Sequence, residues 1–384
     1  MNTRNPDNGY PAEPIVRKGE LPDPFAVPGG ARVATREAWR ERSLAWRDMI
    51  AEIEYGGMPP APDAVEIETL AHSGISSWPS RPKFWSYRVN CRGGEKPFSF
   101  CVQILFPDRP EPVPAIVTGD ECWWAMSDEV ARLVLDRGCA LALFNRTEMA
   151  EDLGYGGVPD KTRREGGLYG VYPGRTFGAL SAWAWGYHRC VDLLHKLPFI
   201  DSKHIAVSGH SRGGKTTLLA GATDERITLI NDCASCAAGA AAFRYVGNAG
   251  ETINIANVFP SWFGPRLQSY VNREEDLPFD QHCLLATIAP RPLLLNYALD
   301  DRWSNPEGMV QCAWAAGEVY RFLGASDHLA FHLRPGGHAH SVEDWKVLLD
   351  FAGCKWFGEK PGAPYNKHPY GHLKPAFSWK APRV

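Results

Sequence analysis

The chain has 384 residues and a formal net charge of −3 at pH 7; 44% of its residues are hydrophobic and 22% are charged. These values are typical of an ordinary soluble globular protein with enough apolar residues for a large core. The near-neutral charge gives no electrostatic reason to expect binding to nucleic acid or to an anionic membrane. No apolar run reaches the ~18 residues of a membrane helix.

The amino-terminal residues lack the apolar core of a secretory signal peptide, so the sequence predicts a cytoplasmic protein. Several of the ten cysteines lie inside apolar runs, which is typical of buried reduced thiols: Cys101, Cys139, Cys190 and Cys312. Cys233 and Cys236 form a C-x-x-C pair, but no second Cys or His pair follows at zinc-finger spacing. We therefore expect no metal or redox role for this pair.

The first part of the chain predicts an arm, a helix and antiparallel strands. Residues 1–34 are rich in Pro and Gly and indicate an extended arm ahead of one domain over residues 35–384. Thr35 is a helix N-cap candidate, and apolar residues recur at helical spacing as far as Tyr55. Strand patterns follow at residues 65–70, 84–90 and 98–106. A glycine pair between the last two strands favours antiparallel pairing.

From residue 113 onward, strands alternate with helices. The strands are continuously apolar, which is typical of a parallel sheet covered by helices on both faces and indicates the α/β class. Strands are predicted at residues 113–118, 139–145, 204–208, 228–233, 292–298 and 328–333. Helices are predicted at residues 128–137, 176–197, 215–222, 306–323 and 342–357. Two long insertions without periodicity, residues 146–175 and 236–282, are of the kind that often carries function.

Residues 209–213 carry the clearest chemical signal. They read GHSRG, which fits G-x-S-x-G between a strand and a helix, the context of a nucleophile elbow. A serine on this sharp turn has unfavourable backbone angles, so neighbours without a Cβ must flank it. The turn also sets Ser211 at a helix start, where backbone N–H groups are available to an oxyanion. We expect His210 to pack below the turn.

In folds with this elbow an acid and then a histidine follow the serine, each at the carboxyl end of a strand. Asp300 and Asp301 follow the strand at 292–298, and His338 follows the strand at 328–333 after two glycines. We expect His338 to take the Ser211 proton and Asp301 to orient its imidazole.

Some alternatives stay open from the residues alone. Asp300 is the nearest rival for the acid, with Asp232 and Glu251 further away in the sequence. His340 and His332 are the other histidines near the expected base, and we favour His338 over both.

With these residues in place, the chain resembles the glucuronoyl esterases of carbohydrate esterase family 15, and their bacterial branch in particular. Residues 209–215, GHSRGGK, match the family elbow G-C/H-S-R-x-G-K, which is more specific than G-x-S-x-G. Further matching stretches are RTFGALSAWAWG (175–186), LPFDQHCLLATIAPRP (277–292), DDRWSNPEG (300–308) and RPGGHAHSVEDW (334–345). The resemblance covers roughly residues 35–357. It implies one α/β-hydrolase catalytic domain, a three-layer sandwich with a mostly parallel central sheet and inserted loops around the active site.

The resemblance also implies a serine esterase without a cofactor. Ser211 is then the nucleophile, His338 the base, and Arg212 the family arginine whose side chain helps to stabilise the oxyanion. Its backbone N–H and a second N–H near residues 119–120 would complete the oxyanion site. The expected partner is a carbohydrate ester, 4-O-methyl-glucuronate on xylan esterified to a lignin-derived alcohol.

Three residues are expected to bind substrate. Lys215 corresponds to the family lysine that bonds sugar hydroxyls of the uronate, and Trp303 to an aromatic residue that lines the cleft. Trp262, in the second insertion, is a further candidate because exposed tryptophans commonly hold the faces of sugar rings.

The sequence departs from the family at three points. Residues 232–239 lack the Glu that many members carry after this strand, which leaves Asp301 as the acid. Residues 119–123 read GDECW, whereas members more often have a stretch containing Asn, Gly and His. Members are mostly secreted, unlike the prediction for this chain. The rival interpretations are an intracellular esterase for a smaller ester such as an acetylated sugar, a transferase, and a non-catalytic binding protein. The oligomeric state stays open.

Overall fold

A nine-stranded sheet organises the chain, and its first part is antiparallel, as the sequence predicts. The computed structural model describes residues 15–123, 125–153, 160–247 and 249–383. Antiparallel neighbours pair through β2 (Ala64–Gly74), β3 (Lys83–Arg92) and β4 (Phe98–Phe106). The β2–β3 register shifts between Thr69 and Ala71, and Arg88–Glu68 and Arg92–Glu66 ion pairs cross the two strands.

The remaining strands of this sheet run parallel to one another, which confirms the predicted mostly parallel sheet. They are β5 (Val113–Thr118), β6 (Ala140–Phe144), β7 (Ile200–His210), β8 (Leu229–Cys233), β10 (Leu293–Ala298) and β11 (Leu329–Arg334). The order across the sheet is β11-β10-β8-β7-β5-β6-β4-β3-β2. Because the carboxyl ends of parallel strands meet at one edge, the loops after β5, β7, β8, β10 and β11 share that edge.

Helices lie close to their predicted positions, with three additions: two short helices inside the insertions and one buried helix before β10. They are α1 (Arg36–Tyr55), α2 (Asp128–Asp136), α3 (Gly167–Val171), α4 (Ala179–Leu194), α5 (Arg212–Thr223), α6 (Ile255–Val258), α7 (Gln281–Ile288), α8 (Pro306–Phe322) and α9 (Val342–Phe357). Thr35 caps α1, since its side chain accepts from the Ala38 N–H at 3.2 Å. Helix α7 was not predicted because all of its residues are buried, so its sequence has no polar face to reveal a period.

Successive strand residues face opposite layers, which produces the three-layer sandwich. In β5, Ala115 and Val117 join the larger core while Ile116 joins the smaller one, and Leu293, Leu294 and Leu295 of β10 alternate in the same way. Helices α1, α4, α5, α7 and α8 cover the first face, and α2 and α9 cover the second. The α/β-hydrolase architecture expected from the sequence is confirmed.

The amino-terminal arm is packed along the part that the structure describes. Strand β1 (Ile15–Arg17) pairs antiparallel with β9 (Tyr245–Gly247), and Leu21 and Phe25 are buried. The Trp379 indole donates to the Leu21 carbonyl at 2.8 Å, so the carboxyl-terminal segment covers the arm. The boundary at residue 34 stays a prediction, and residues 1–14 lie outside the described residues. Across the described ranges, no helix is long and apolar enough to cross a membrane.

The ten cysteines are free thiols. Cys139, Cys190 and Cys312 are buried, as predicted. Cys101 is exposed instead, because it points outward from β4, whose residues alternate between core and solvent.

A carboxyl group is buried at the end of α1. Glu54 is fully buried, and its Oε2 accepts from the Gln281 amide at 2.9 Å. Burial raises the pKa of Glu54 to about 7, although the bond from Gln281 opposes the rise. The unfolded carboxyl titrates near its ordinary pKa of 4.5, so between these two values the unfolded state loses its proton first. Glu54 therefore makes the fold less stable as the pH rises through this window.

Glu54→Gln should remove this pH dependence. Relative to the wild type, the variant should gain up to about 3 kcal/mol of unfolding free energy between pH 4 and pH 8, measured by urea denaturation. Glu52→Gln is the matched control, because Glu52 lies on the same helix with its side chain 59% exposed. A wild-type-to-variant difference that stays constant across this range would contradict the prediction.

Candidate active site

Ser211 forms the strained turn that the sequence predicts. It lies between β7 and α5 with φ 56° and ψ −121°, in the left-handed half of conformational space that residues with a Cβ rarely adopt. Its N–H donates to the Cys233 carbonyl at 2.8 Å, and its carbonyl accepts from the Lys215 N–H at 3.0 Å. Helix α5 begins at Arg212 rather than at the predicted Lys215. The sequence prediction started too late because the two intervening glycines have weak helix propensity.

Three glycines let the elbow pack tightly. A Cβ at Gly209 would come within 3 Å of the Gly213 carbonyl, and one at Gly213 would come equally close to the Asp120 carboxylate. A Cβ at Gly214 would meet the Asp232 carboxylate in the same way. The glycines therefore admit two buried carboxylates against the start of α5.

The loops after β10 and β11 bring a histidine and an aspartate together. His338 Nδ1 and Asp301 Oδ2 are 2.6 Å apart, and Asp301 is buried while a third of the His338 side chain is exposed. Asp300 points elsewhere, since its Oδ2 accepts from the Gly336 N–H at 3.0 Å. With Nδ1 engaged by Asp301, Nε2 is the His338 atom available to exchange a proton with a serine.

The alternative acids have other partners. The Asp232 carboxylate accepts from the Ser235 hydroxyl at 2.7 Å, and burial raises the pKa of Asp232 to about 7. Glu251 pairs with Lys215 at 2.6 Å. Among the hydrogen bonds of the described residues, the acid on His338 is Asp301.

Burial favours the neutral form of the neighbouring histidines. The His210 ring lies 4.4 Å from the His338 ring, and burial lowers the pKa of His210 to about 2. His340 stacks on Trp345 at 4.9 Å, and burial also lowers the pKa of His340. His332 is buried in β11, and burial lowers its pKa as well. Of these rings, His210 is the one that packs directly against His338.

Arg212 is buried beside the serine. Its Nη1 donates to Asp152 Oδ2 at 2.8 Å, and its guanidinium carbon lies 4.4 Å from the centre of the Trp262 ring. The side chain is 4% exposed. Arg212 is also the first residue of α5. The first backbone N–H groups of a helix have no acceptor within that helix, so the Arg212 N–H points out of the helix start.

The expected second oxyanion donor, an N–H near residues 119–120, narrows to one residue and stays a prediction. The Gly119 N–H donates to the Tyr187 hydroxyl at 2.8 Å, so this N–H is committed to the core. The Asp120 N–H has a 3.5 Å contact to the Thr118 hydroxyl, which is at the limit of a hydrogen bond. Of the two residues, only Asp120 remains a candidate.

Lys215 is more enclosed than its expected sugar-binding role suggests. Its ammonium donates to the Ser235 carbonyl at 2.6 Å, to the Ala237 carbonyl and to the Glu251 carboxylate at 2.6 Å. Three acceptors match the three protons of an ammonium. A direct bond from Lys215 to a sugar hydroxyl therefore requires that one acceptor be exchanged, and this role stays a prediction.

The two predicted tryptophans have opposite environments. Trp303 is 53% exposed, and its carbonyl accepts from the Glu251 N–H at 2.9 Å. Because the Glu251 side chain pairs with Lys215, Glu251 connects Trp303 to Lys215. Trp262 is 2% exposed and donates to Asp152 Oδ1 at 3.0 Å. Trp303 offers an open ring face, whereas Trp262 is enclosed by protein groups, among them Asp152 and Arg212.

Asp152 and Glu251 are the partners that sequence reasoning missed at Arg212 and Lys215. A buried cation needs a carboxylate, so the two basic residues in the small, apolar helix α5 were a signal that acids must lie nearby. That signal does not say which of the 44 acidic residues supply the partners. In the parts of the chain that the structure describes, no group of three or more His, Cys, Asp or Glu residues is arranged to hold a metal.

Comparisons with known proteins agree on one family. A family model described as "Glucuronyl esterase, fungi" matches residues 89–324. A 4-O-methyl-glucuronoyl methylesterase of Hypocrea jecorina is 32% identical over 333 residues, which span 84% of this chain and 66% of that protein. A carbohydrate esterase from an unknown prokaryotic organism is 29% identical over 406 residues, which span 88% of this chain and 90% of that one. A solved structure, a carbohydrate esterase family 15 glucuronoyl esterase from Caldicellulosiruptor kristjansonii, has a TM-score of 0.80 at 29% identity, covering 95% of this chain and 97% of that one.

Gly214→Ala should destabilise the elbow, because the new methyl group would press on the Asp232 carboxylate. We expect a loss of about 1–3 kcal/mol in unfolding free energy, measured by urea denaturation. Gly317→Ala is the matched control, since Gly317 lies within helix α8 with no atom within 4 Å of its added Cβ. This control should gain up to about 1 kcal/mol from helix propensity. Equal gains in both variants would show that the elbow has room for a Cβ.

Proposed function

The chain belongs to the glucuronoyl esterase family, carbohydrate esterase family 15, and we propose that it hydrolyses glucuronate esters with Ser211, His338 and Asp301. One observation carries the assignment of these residues. The 2.6 Å contact between His338 and Asp301 lies at the sheet edge where Ser211 immediately precedes α5, and the order serine, acid, histidine is that of α/β-hydrolases.

Acylation begins when Ser211 Oγ attacks the ester carbonyl and passes its proton to His338 Nε2. Asp301 stabilises the resulting imidazolium and keeps Nε2 pointed at the serine. The oxyanion is held by the Arg212 backbone N–H and by the Arg212 guanidinium, a fixed positive charge in a site with little water. His338 then donates its proton to the alcohol oxygen, the ester C–O bond breaks, and the glucuronoyl group stays on Ser211.

Deacylation uses the same groups with water as the nucleophile. Neutral His338 takes a proton from water, which attacks the acyl carbonyl through a second oxyanion. Collapse of this intermediate returns the proton to Ser211 Oγ and releases glucuronate. The product is an anion, whereas the ester group was neutral.

Lys215, Glu251 and Trp303 form the wall that we propose for the sugar. The exposed Trp303 ring offers a flat apolar surface to one face of a pyranose ring. The Glu251 carboxylate, paired with Lys215, supplies acceptors for sugar hydroxyls. The relatives named as 4-O-methyl-glucuronoyl methylesterases support this acyl group.

A second candidate is a smaller ester on the same Ser211 chemistry, such as an acetylated sugar. The enclosed Lys215 ammonium favours it, because its three protons already have acceptors within the protein. The cytoplasmic location predicted from the sequence would suit this substrate, and that location stays a prediction.

Ser211→Ala should abolish turnover of benzyl glucuronate while leaving the circular dichroism spectrum unchanged. Asp301→Asn should lower kcat by about 10⁴-fold, because the amide favours the wrong imidazole tautomer. Asp300→Asn is the matched control and should lose less than about tenfold, since Asp300 bonds a backbone N–H away from His338. Equal, small losses in the two Asp variants would place the acid elsewhere.

Trp303→Ala should raise KM for benzyl glucuronate by about tenfold, an effect of roughly 1.4 kcal/mol, and should leave turnover of 4-nitrophenyl acetate nearly unchanged. Phe357→Ala removes another exposed aromatic ring, at the far end of α9, and should affect neither ester. Wild-type activity on the acetate alone would favour the smaller ester over glucuronate.

A further inference from the structure

Arg212 and Trp262 meet at one carboxylate. Asp152 lies in the insertion after β6, where its Oδ2 accepts from Arg212 Nη1 at 2.8 Å and its Oδ1 accepts from Trp262 Nε1 at 3.0 Å. The guanidinium and the indole also touch each other, with 4.4 Å between the Arg212 guanidinium carbon and the Trp262 ring centre. The Asp152 side chain is 11% exposed, so all three groups lie almost out of water.

A second arginine shares this carboxylate. Arg146 Nη2 lies 4.0 Å from Asp152 Oδ2, and Arg146 also pairs with Asp120. The Arg146 side chain is fully buried, with its guanidinium carbon 4.2 Å from the Trp123 ring centre. Two arginines and two aspartates thus form a buried cluster without net charge. Its carboxylates hold the two cations in a dry site.

The geometry at Asp152 restricts how Arg212 can move. A guanidinium is a rigid planar fork, so a bond from Nη1 to a fixed carboxylate limits the positions that the group can take. The Trp262 ring lies against the guanidinium and blocks one direction of swing. The Trp262 N–H in turn holds the other carboxylate oxygen, so Asp152 cannot rotate without breaking a second bond.

We propose that Asp152 is a positioning residue for ester hydrolysis, and that with Trp262 it fixes the Arg212 guanidinium beside Ser211 so that the oxyanion meets a preorganised charge. This inference rests on the proposed function, in which Arg212 stabilises the oxyanion. Electrostatic stabilisation lowers a barrier most when the donor need not reorganise as charge develops. Trp262 then acts through Asp152 and Arg212 rather than as a sugar platform.

The expected kinetic effect follows from the stage of the reaction at which the Arg212 guanidinium is needed. Arg212 meets full negative charge only in the transition state, so displacing it should lower kcat and leave KM nearly unchanged. Asp152→Asn retains the size of the side chain, but its single carbonyl oxygen cannot accept from both Arg212 and Trp262 as the carboxylate does. We expect kcat to fall about 10–100-fold with KM within about threefold of the wild type.

A double-mutant cycle separates positioning from a structural role. Arg212→Gln removes the guanidinium, and in that background Asp152→Asn should change kcat by less than about twofold. If Asp152→Asn lowers kcat by the same factor in the wild type and in the Arg212→Gln background, the proposal is overturned. Asp192→Asn is the matched control, because Asp192 is also a carboxylate shared by two arginines, Arg189 and Arg226, and it should leave kcat unchanged.

Trp262→Phe provides a second cycle that keeps both charges and an aromatic ring at this position. It removes the N–H that anchors Asp152 together with part of the ring, and we expect a kcat loss of about 3–10-fold that disappears in the Arg212→Gln background. If Asp152→Asn fails to fold, this second cycle decides the question. An unchanged kcat in folded Trp262→Phe and Asp152→Asn proteins would contradict the role of Asp152.

The cycles are run with benzyl glucuronate and 4-nitrophenyl acetate, and also on the rate at which a fluorophosphonate labels Ser211. All three reactions develop negative charge on an oxygen beside Ser211, so the coupling between Asp152 and Arg212 should appear in each. Coupling with acetate but no turnover of glucuronate would reject the proposed substrate and keep the role of Asp152. Ser211 that no fluorophosphonate labels would reject both.

Discussion

The strained backbone at Ser211 is the constraint on which the site depends. A residue with a Cβ holds a φ of 56° only when its neighbours fix it, and here the N–H and carbonyl of Ser211 are both bonded across the turn. The glycines around it let the Asp120 and Asp232 carboxylates press against the start of α5. The same turn that presents the serine therefore has two buried acids packed against it.

Carboxylates near the start of α5 balance the positive charges there. Asp120 accepts from the His210 N–H at 2.9 Å and also pairs with Arg146, which ties the elbow to the loop after β6. Asp152 and Glu251 pair with the two basic residues of α5, Arg212 and Lys215. Both cations of α5 are thus held by carboxylates from the insertions rather than from the sheet. The sheet supplies the triad positions, and the insertions set the electrostatics around them.

Sequence reasoning reached the features that depend on local pattern. The central strands are continuously apolar and the elbow has a fixed spacing, so the fold and the places of Ser211 and His338 followed from the chain itself. It could not separate Asp300 from Asp301, because adjacent residues on a turn point in directions that only the folded loop determines. Asp152 gave no signal either, since residues 146–175 have no periodicity and its partner is 60 positions away.

Helix α7 and Lys215 show two further limits of the sequence. A helix buried on every side lacks the polar face that makes a helical period visible, so α7 was not recognised between the insertion at 236–282 and the strand at 292–298. The elbow motif identified Lys215 as the family lysine. The three acceptors around its ammonium, however, come from the loop after β8 and from Glu251. Contacts between distant segments decide whether such a cation faces a ligand or the protein.

The irregular β2–β3 pairing has a consequence for how molecules of this protein meet one another. Strand β2 ends the sheet and is mostly exposed, so its backbone edge is a template to which a strand from another molecule can add. The register shift near Thr69 bends that edge, and Glu66 and Glu68 place charges along it. Exposed ion pairs of this kind add little to stability. Their effect is instead on solubility, because a bent, charged edge resists sheet-to-sheet aggregation in concentrated solution.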